Sequence, residues 1–446
     1  MADPRLLISV PGPVIDPRLE EVKLRERALA RMLMTYIGTG LAFMLLPGTF
    51  LGVWNLIAIS DQHAANSISA AWIQAHGQAQ VFGWIGTFIL GIGFYSIPKM
   101  RRSQPFAMWA AWTCYALWSA SVLMRWISGV YAWHWRVLFP VTASLQLLAF
   151  IIFFHAVSSH RPASPGGERP RFERWIFVVM AASLGLLATL IANLAGSIQI
   201  ALHSDLPAFG QSFDQRFLVL MAWGFMVPFV WGFSARWLST FVGLRTVCER
   251  GLMVMLAVNT SGVVLAMFGW FRLAVFLLLA GAVLSTLAIR VAFPAIQPAK
   301  TGGIHKWFPY FVRLAYGWLI VAGALGVWAA FAKHPDGIWG ASRHALTVGF
   351  VATMVFAIGQ RVLPAFSGMR VLFSPRLMGW SLSLLLAGCS LRVVSEVLAY
   401  QSFVEAAWKW LPVSAVTELT AVTLFAINMV ATFFTRPPSE QLVRIK

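Results

Sequence analysis

Residues 75–100 read AHGQAQVFGWIGTFILGIGFYSIPKM. A membrane-spanning helix needs about 20 apolar residues, and this run is long and apolar enough. It carries five glycines, and His76 stands at its head. An imidazole opening a segment fit for lipid needs a purpose.

The whole chain shares this character. Of its 446 residues, 59% are hydrophobic and only 11% charged. Soluble domains carry about 25% charged residues, so the bilayer must act as solvent for this surface. The net charge of +18 sits in short connections between apolar runs, which is the pattern of orientation signals. A nucleic-acid partner is therefore not expected; the expected surroundings are lipid. Cys114, Cys248 and Cys389 lie far apart with no CxxC or CxxCH, which argues against a disulfide framework, a zinc knuckle and covalently attached heme. The polar start, ending in KLRERALAR, does not read as a secretory signal peptide.

Twelve apolar runs follow, near 33–58, 77–98, 106–129, 135–157, 175–199, 217–240, 251–270, 272–294, 311–332, 344–366, 375–399 and 410–434. The seventh and eighth are parted only by GWFR. The expected fold is an all-α polytopic membrane protein of about twelve helices. Its expected parts are a cytoplasmic tail over 1–32, a transmembrane domain over 33–434 and a second tail over 435–446. One set of connections holds 26 of the 34 basic residues, which puts both termini in the cytoplasm by the positive-inside rule. His76 then lies at the outer end of helix 2. RHALTVGFVATMVFAIGQRVLP opens helix 10, so His344 shares that outer layer.

The two helices also match beyond their histidines. With the prolines aligned, Gly83 pairs with Gly349, Gly93 with Gly359 and Pro98 with Pro364. Helix 6 joins through its inner end, where Arg236, Phe241 and Gly243 pair with Arg361, Phe366 and Gly368. The copies are spaced by roughly 130 residues, which predicts three repeats of four helices. The competing explanation is that glycines recur in any membrane helix because they permit close packing.

Ionisable groups inside a membrane are costly and usually functional. Neutral imidazole is a good ligand for heme iron, and two imidazoles on different helices can take both axial positions. Glycines on the same helices would admit a flat macrocycle. The alternative is that each histidine is a plain hydrogen-bonding group at the interface.

The segment HG-x4-F-x8-G-x-G-x4-P, from His76 to Pro98, resembles helix 2 of heme-copper oxidase subunit I. The resemblance implies that His76 ligates a low-spin heme. Helix 10 of that family carries H-x-H, whose second histidine is the other low-spin ligand; His344 matches it, and the first falls on Ser342. HALTVGFVATM followed by R-x-x-P-x-F-x-G is closer still to the tenth helix of the NnrS family, membrane heme proteins linked to nitric oxide and nitrosative stress. The resemblance implies heme b held by His76 and His344 in a bacterial cytoplasmic membrane. It implies a role in the nitric oxide response or in membrane electron transfer, with an unidentified electron donor and a small gaseous ligand as candidate partners.

Several positions depart from those families. NnrS proteins carry H-x-H at helix 2, where this chain has His76-Gly77-Gln78, and their histidine after helix 10 falls on Phe366. Oxidases bind copper through helices 6 and 7, yet Gln215 to Leu238 and Gly251 to Trp270 contain no histidine. Arginine suits heme carboxylates, and Arg125, Arg392 and Arg343 lie in the outer layer. Arg392 could instead pair with Glu396 one turn on, and Arg125 could reach out to the interface. His63, His134, His203 and His334 read as outer loop residues, though a second heme or copper could draw on them. His155, His160 and His305 fall on the cytoplasmic side. Two other readings stay open: a nitric oxide or oxygen reductase with an additional metal site, and a heme-free transporter. The sequence shows no buried acidic pair, which counts against transport.

Overall fold

The computed structural model describes residues 17–64, 67–101, 106–158 and 173–435. The remaining tail residues and His160 lie outside the described residues. Among the described residues, eleven helices are long and apolar enough to cross a membrane. They are α1 (Glu20–Gln62), α2 (Ala70–Met100), α4 (Trp135–Ser158), α5 (Arg174–His203), α6 (Gln211–Val242), α7 (Glu249–Met267), α8 (Phe271–Ala288), α9 (Phe308–Phe331), α10 (Asp336–Phe366), α11 (Pro375–Tyr400) and α12 (Ala407–Phe434). Helix α3 (Met108–Tyr131) is as long, and completes the twelve runs expected from the sequence. The chain is a multi-pass helical membrane protein, and an even number of crossings leaves its two ends on one side.

The ends of several helices correct the sequence reading. Helix α8 stops at Ala288 rather than continuing to 294, because Arg290 takes the left-handed conformation at φ 70°. Helix α2 starts at Ala70, where the Ser69 hydroxyl accepts from the Ala71 amide at 3.2 Å. Helix α10 starts at Asp336 and α6 at Gln211. His76 and His344 therefore sit about two helical turns inside their helices rather than at the ends. The added turns, AAWIQA and DGIWGAS, mix polar with apolar residues, so hydropathy does not mark them.

The threefold repeat is visible in the backbone. Helices α2, α6 and α10 each contain a π-helical segment, at Ala79–Gly86, Leu220–Met226 and Ala345–Ala352. These coincide when the prolines of α2 and α10 and the arginines of α6 and α10 are aligned. A fourth lies in α1 at Met44–Phe50, around Pro47. Such segments are rare and often accompany functional sites.

Three of the four repeated glycines, Gly83, Gly93 and Gly349, pack helices together, while Gly359 lines a cavity. A Cβ on Gly83 would stand 2.9 Å from the Phe43 side chain, on Gly93 2.6 Å from Phe153, and on Gly349 2.6 Å from Trp318. This is the close packing that small residues allow in membranes.

At the inner end, Asn428 of α12 ties three elements together. Its amide donates to Gln360 Oε1 at 2.7 Å and to the Ser374 carbonyl at 3.0 Å, while Oδ1 accepts from the Ser374 amide at 2.9 Å. Asn428 and Gln360 are fully buried. Asn428→Leu should cost about 1–3 kcal/mol for each group it orphans, because no water replaces the lost partner. Thermal unfolding in detergent checks this, and an unchanged midpoint would contradict it.

Candidate functional site

The outer half of the bundle encloses a cavity of about 420 Å³ between α1, α2, α6, α10, α11 and α12. Its wall includes His76, His344, Arg343 and Arg392. The two histidines singled out by the sequence thus face one space.

His76 is held by α1. Its Nδ1 lies 2.9 Å from the Gly48 carbonyl. A carbonyl only accepts, so Nδ1 carries the proton and Nε2 keeps its lone pair. Pro47 and the π segment disturb the regular hydrogen-bond ladder of α1 and leave carbonyls for side chains. Trp126 Nε1 donates to Pro47 at 3.1 Å, and Gln80 Nε2 to Met44 at 3.4 Å. The ring also lies against Gly52, where a Cβ would come within 2.6 Å of its Cε1.

His344 is fixed in the same sense. Its Nδ1 lies 3.0 Å from the Gly340 carbonyl and 3.3 Å from Glu396 Oε2. Arg392 Nε is 3.4 Å from that same carboxylate oxygen. Glu396 is 5% exposed and Arg392 9%, so the pair is desolvated. A Cβ on Gly340 would stand 2.0 Å from Glu396 Oε1, so only glycine lets α10 approach the carboxylate this closely. Of the two readings of Arg392, the ion pair with Glu396 is present, and the side chain also lines the cavity.

Arg343 also lines the cavity and donates to Gln215 Oε1. Gln215 and the cavity residue Asp214 precede the apolar run at 217–240, and the start of α6 at Gln211 places both in the helix. Glu418 of α12 lines the same wall as Glu396. These two acidic residues thus share the cavity, with Glu396 buried and Glu418 half-buried.

Arg125 is not brought to this cavity, nor does it reach the interface. It is 5% exposed, its Nη1 donates to Ser197 Oγ at 2.9 Å, and its guanidinium lies 3.3 Å from the centre of the Phe139 ring. It shares the outer layer with His76 but belongs to the sector formed by α3, α4 and α5. His63 is no free loop residue, since it pairs with Glu405 at 2.9 Å and stacks on Trp408. Among the described residues, no three His, Cys, Asp or Glu side chains gather as a metal site would require.

Six buried polar atoms on residues of the cavity wall have no hydrogen-bond partner: Asn55 Oδ1, Gln78 Oε1, Trp84 Nε1, Arg392 Nη1, Glu396 Oε2 and Glu418 Oε1. Buried polar groups are nearly always paired, so a cluster of orphans on one wall marks a space built for an occupant.

A cryo-EM structure of a heme-copper terminal oxidase dimer matches this chain with a TM-score of 0.56 at 13% identity, covering 92% of this chain and 85% of that one. The fold is heme-copper oxidase subunit I-like. A family model described as a domain of unknown function (DUF8744) matches residues 236–434, from the end of α6 through α12. That match covers less than half the chain, and its family is not NnrS. No curated protein matches.

Proposed function

We propose that this chain is a membrane heme b protein in which His76 and His344 take both axial positions of one heme. The carrying observation is that each Nδ1 is occupied by a carbonyl, so each histidine on the cavity wall keeps Nε2 as a free ligand atom. Three further observations support the fit. The volume lies within the range of about 300–1,000 Å³ usual for cofactor sites. Arg392 Nη1 is a buried donor with no protein partner, suited to a heme carboxylate. Arg343 adds a second cation on the wall.

Heme supplies a one-electron redox couple. The chain's residues orient and tune it. Gly48 and Gly340 set the histidine tautomers, and Glu396 faces the His344 Nδ1–H. With His76 and His344 both available to hold the iron, the site would suit electron transfer or gas sensing better than turnover. The resemblance to NnrS points the biological role toward nitric oxide and nitrosative stress, in a bacterial cytoplasmic membrane.

Carbon monoxide tests this. The dithionite-reduced wild type is expected to keep its spectrum under the gas, while His76→Gly is expected to gain a carbon monoxide spectrum because one axial position opens. A wild type that binds carbon monoxide fully would instead show an open iron and favour the reductase reading. The charged wall of Asp214, Arg343, Arg392, Glu396 and Glu418 favours one other reading, a heme-free transporter. A protein that stays colourless after expression with ample heme would decide for it.

A further inference from the structure

A second cavity, of about 130 Å³, lies between α2, α6 and α10. Matching positions of the three repeats build its wall, so it lies on the axis that relates them. Ile85, Met226 and Val351 form one tier, and Phe88, Phe229 and Met354 form another. Ile85, Met226 and Val351 fall within the three π-helical segments. They also line the histidine cavity, so a single layer of side chains is shared by the two spaces. Apart from Ser234, the axial wall offers no hydroxyl, amide or charged side chain.

We infer that this axial cavity is a dry binding site for small apolar gas molecules, separated from the histidine cavity by Ile85, Met226 and Val351. A buried water needs about two to four polar partners, and the only polar side-chain groups on the wall are the Ser234 hydroxyl and the Trp237 indole N–H, both on α6, with none on α2 or α10. An apolar cavity of about 150 Å³ elsewhere stays dry and takes up xenon or benzene, so a space of this size and lining suits diatomic and noble gases. Such molecules bring neither charge nor hydrogen-bonding needs, and they restore the dispersion contacts that the lining atoms lack. The inference rests on the lining alone. A colourless protein would overturn the heme proposal and leave this one standing.

Crystals of the full chain, pressurised with xenon, provide the test. The wild type is expected to show a xenon peak on the axis between the two tiers. Val355→Phe, or Val230→Phe if the first does not fold, is expected to abolish the peak by filling the space. Ordered water or a lipid acyl chain in the wild-type cavity, no xenon at all, or a peak that persists in a folded variant would each overturn the inference.

Discussion

Glu396→Leu is expected to destabilise the protein by about 3–5 kcal/mol, because it leaves Arg392 charged and unpaired in a desolvated site. Arg392 Nε lies 3.4 Å from the carboxylate and has little water to turn to. The same change removes the anion 3.3 Å from His344 Nδ1. Heme affinity should fall about 10–100-fold, the usual effect of losing a group that orients a ligand. The double replacement Glu396→Leu with Arg392→Met should recover much of the stability, since replacing both members of a buried pair with apolar groups is often neutral. It should not recover heme affinity. Thermal unfolding and heme titration separate the two effects. A double variant no more stable than Glu396→Leu alone would contradict the assignment of Arg392 as the stranded charge.

Gly185→Ala should be the most disruptive alanine substitution in the packing of α5 on α6. The new Cβ would stand 1.9 Å from the Gly224 carbonyl oxygen. That atom is backbone, so no side-chain rotation relieves the clash, and the helices must part. Overpacking costs about 1–3 kcal/mol and occasionally more. Gly224→Ala at the other side of the contact should be mild, since its Cβ would meet only Leu220 at 3.1 Å and Val263 at 3.5 Å. The fraction recovered as a single species after mild heating should fall sharply for Gly185→Ala and little for Gly224→Ala. Equal recovery of both variants would mean that the helices do not approach as described.

The sequence marked all twelve crossings, because bilayer thickness imposes a length and apolarity that composition cannot hide. It missed the outer turns of α2, α6 and α10, where polar residues face the cavity and lower the hydropathy. The repeat was legible between α2 and α10 from shared glycines and prolines. In α6 it was legible only near Arg236, Phe241 and Gly243. The axial tier of Ile85, Met226 and Val351 escaped notice because any apolar residue satisfies that position, so the repeats share geometry there without sharing identity.

The candidate site divides the same way. His76, His344, Arg343 and Arg392 stood out because titratable groups are rare in spanning helices. The partner of His76 could not be read, since it is a backbone carbonyl made available by the π segment around Pro47. Arg125 shows the opposite limit. Its position along α3 can be read from sequence, but that says nothing of which sector around the bundle a residue faces. The close approach of α10 to Glu396 at Gly340 is likewise a property of two helices and not of either sequence alone.

The most direct test of the central proposal is the absorption spectrum of the detergent-purified protein, oxidised and dithionite-reduced, beside His76→Ala and His344→Ala. The proposal expects a sharp low-spin b-type spectrum in the wild type, lost or converted to high spin in each variant while the protein remains folded. A wild-type spectrum unchanged in either variant would contradict the paired-histidine site, and a colourless wild type made with ample heme would remove heme from the account.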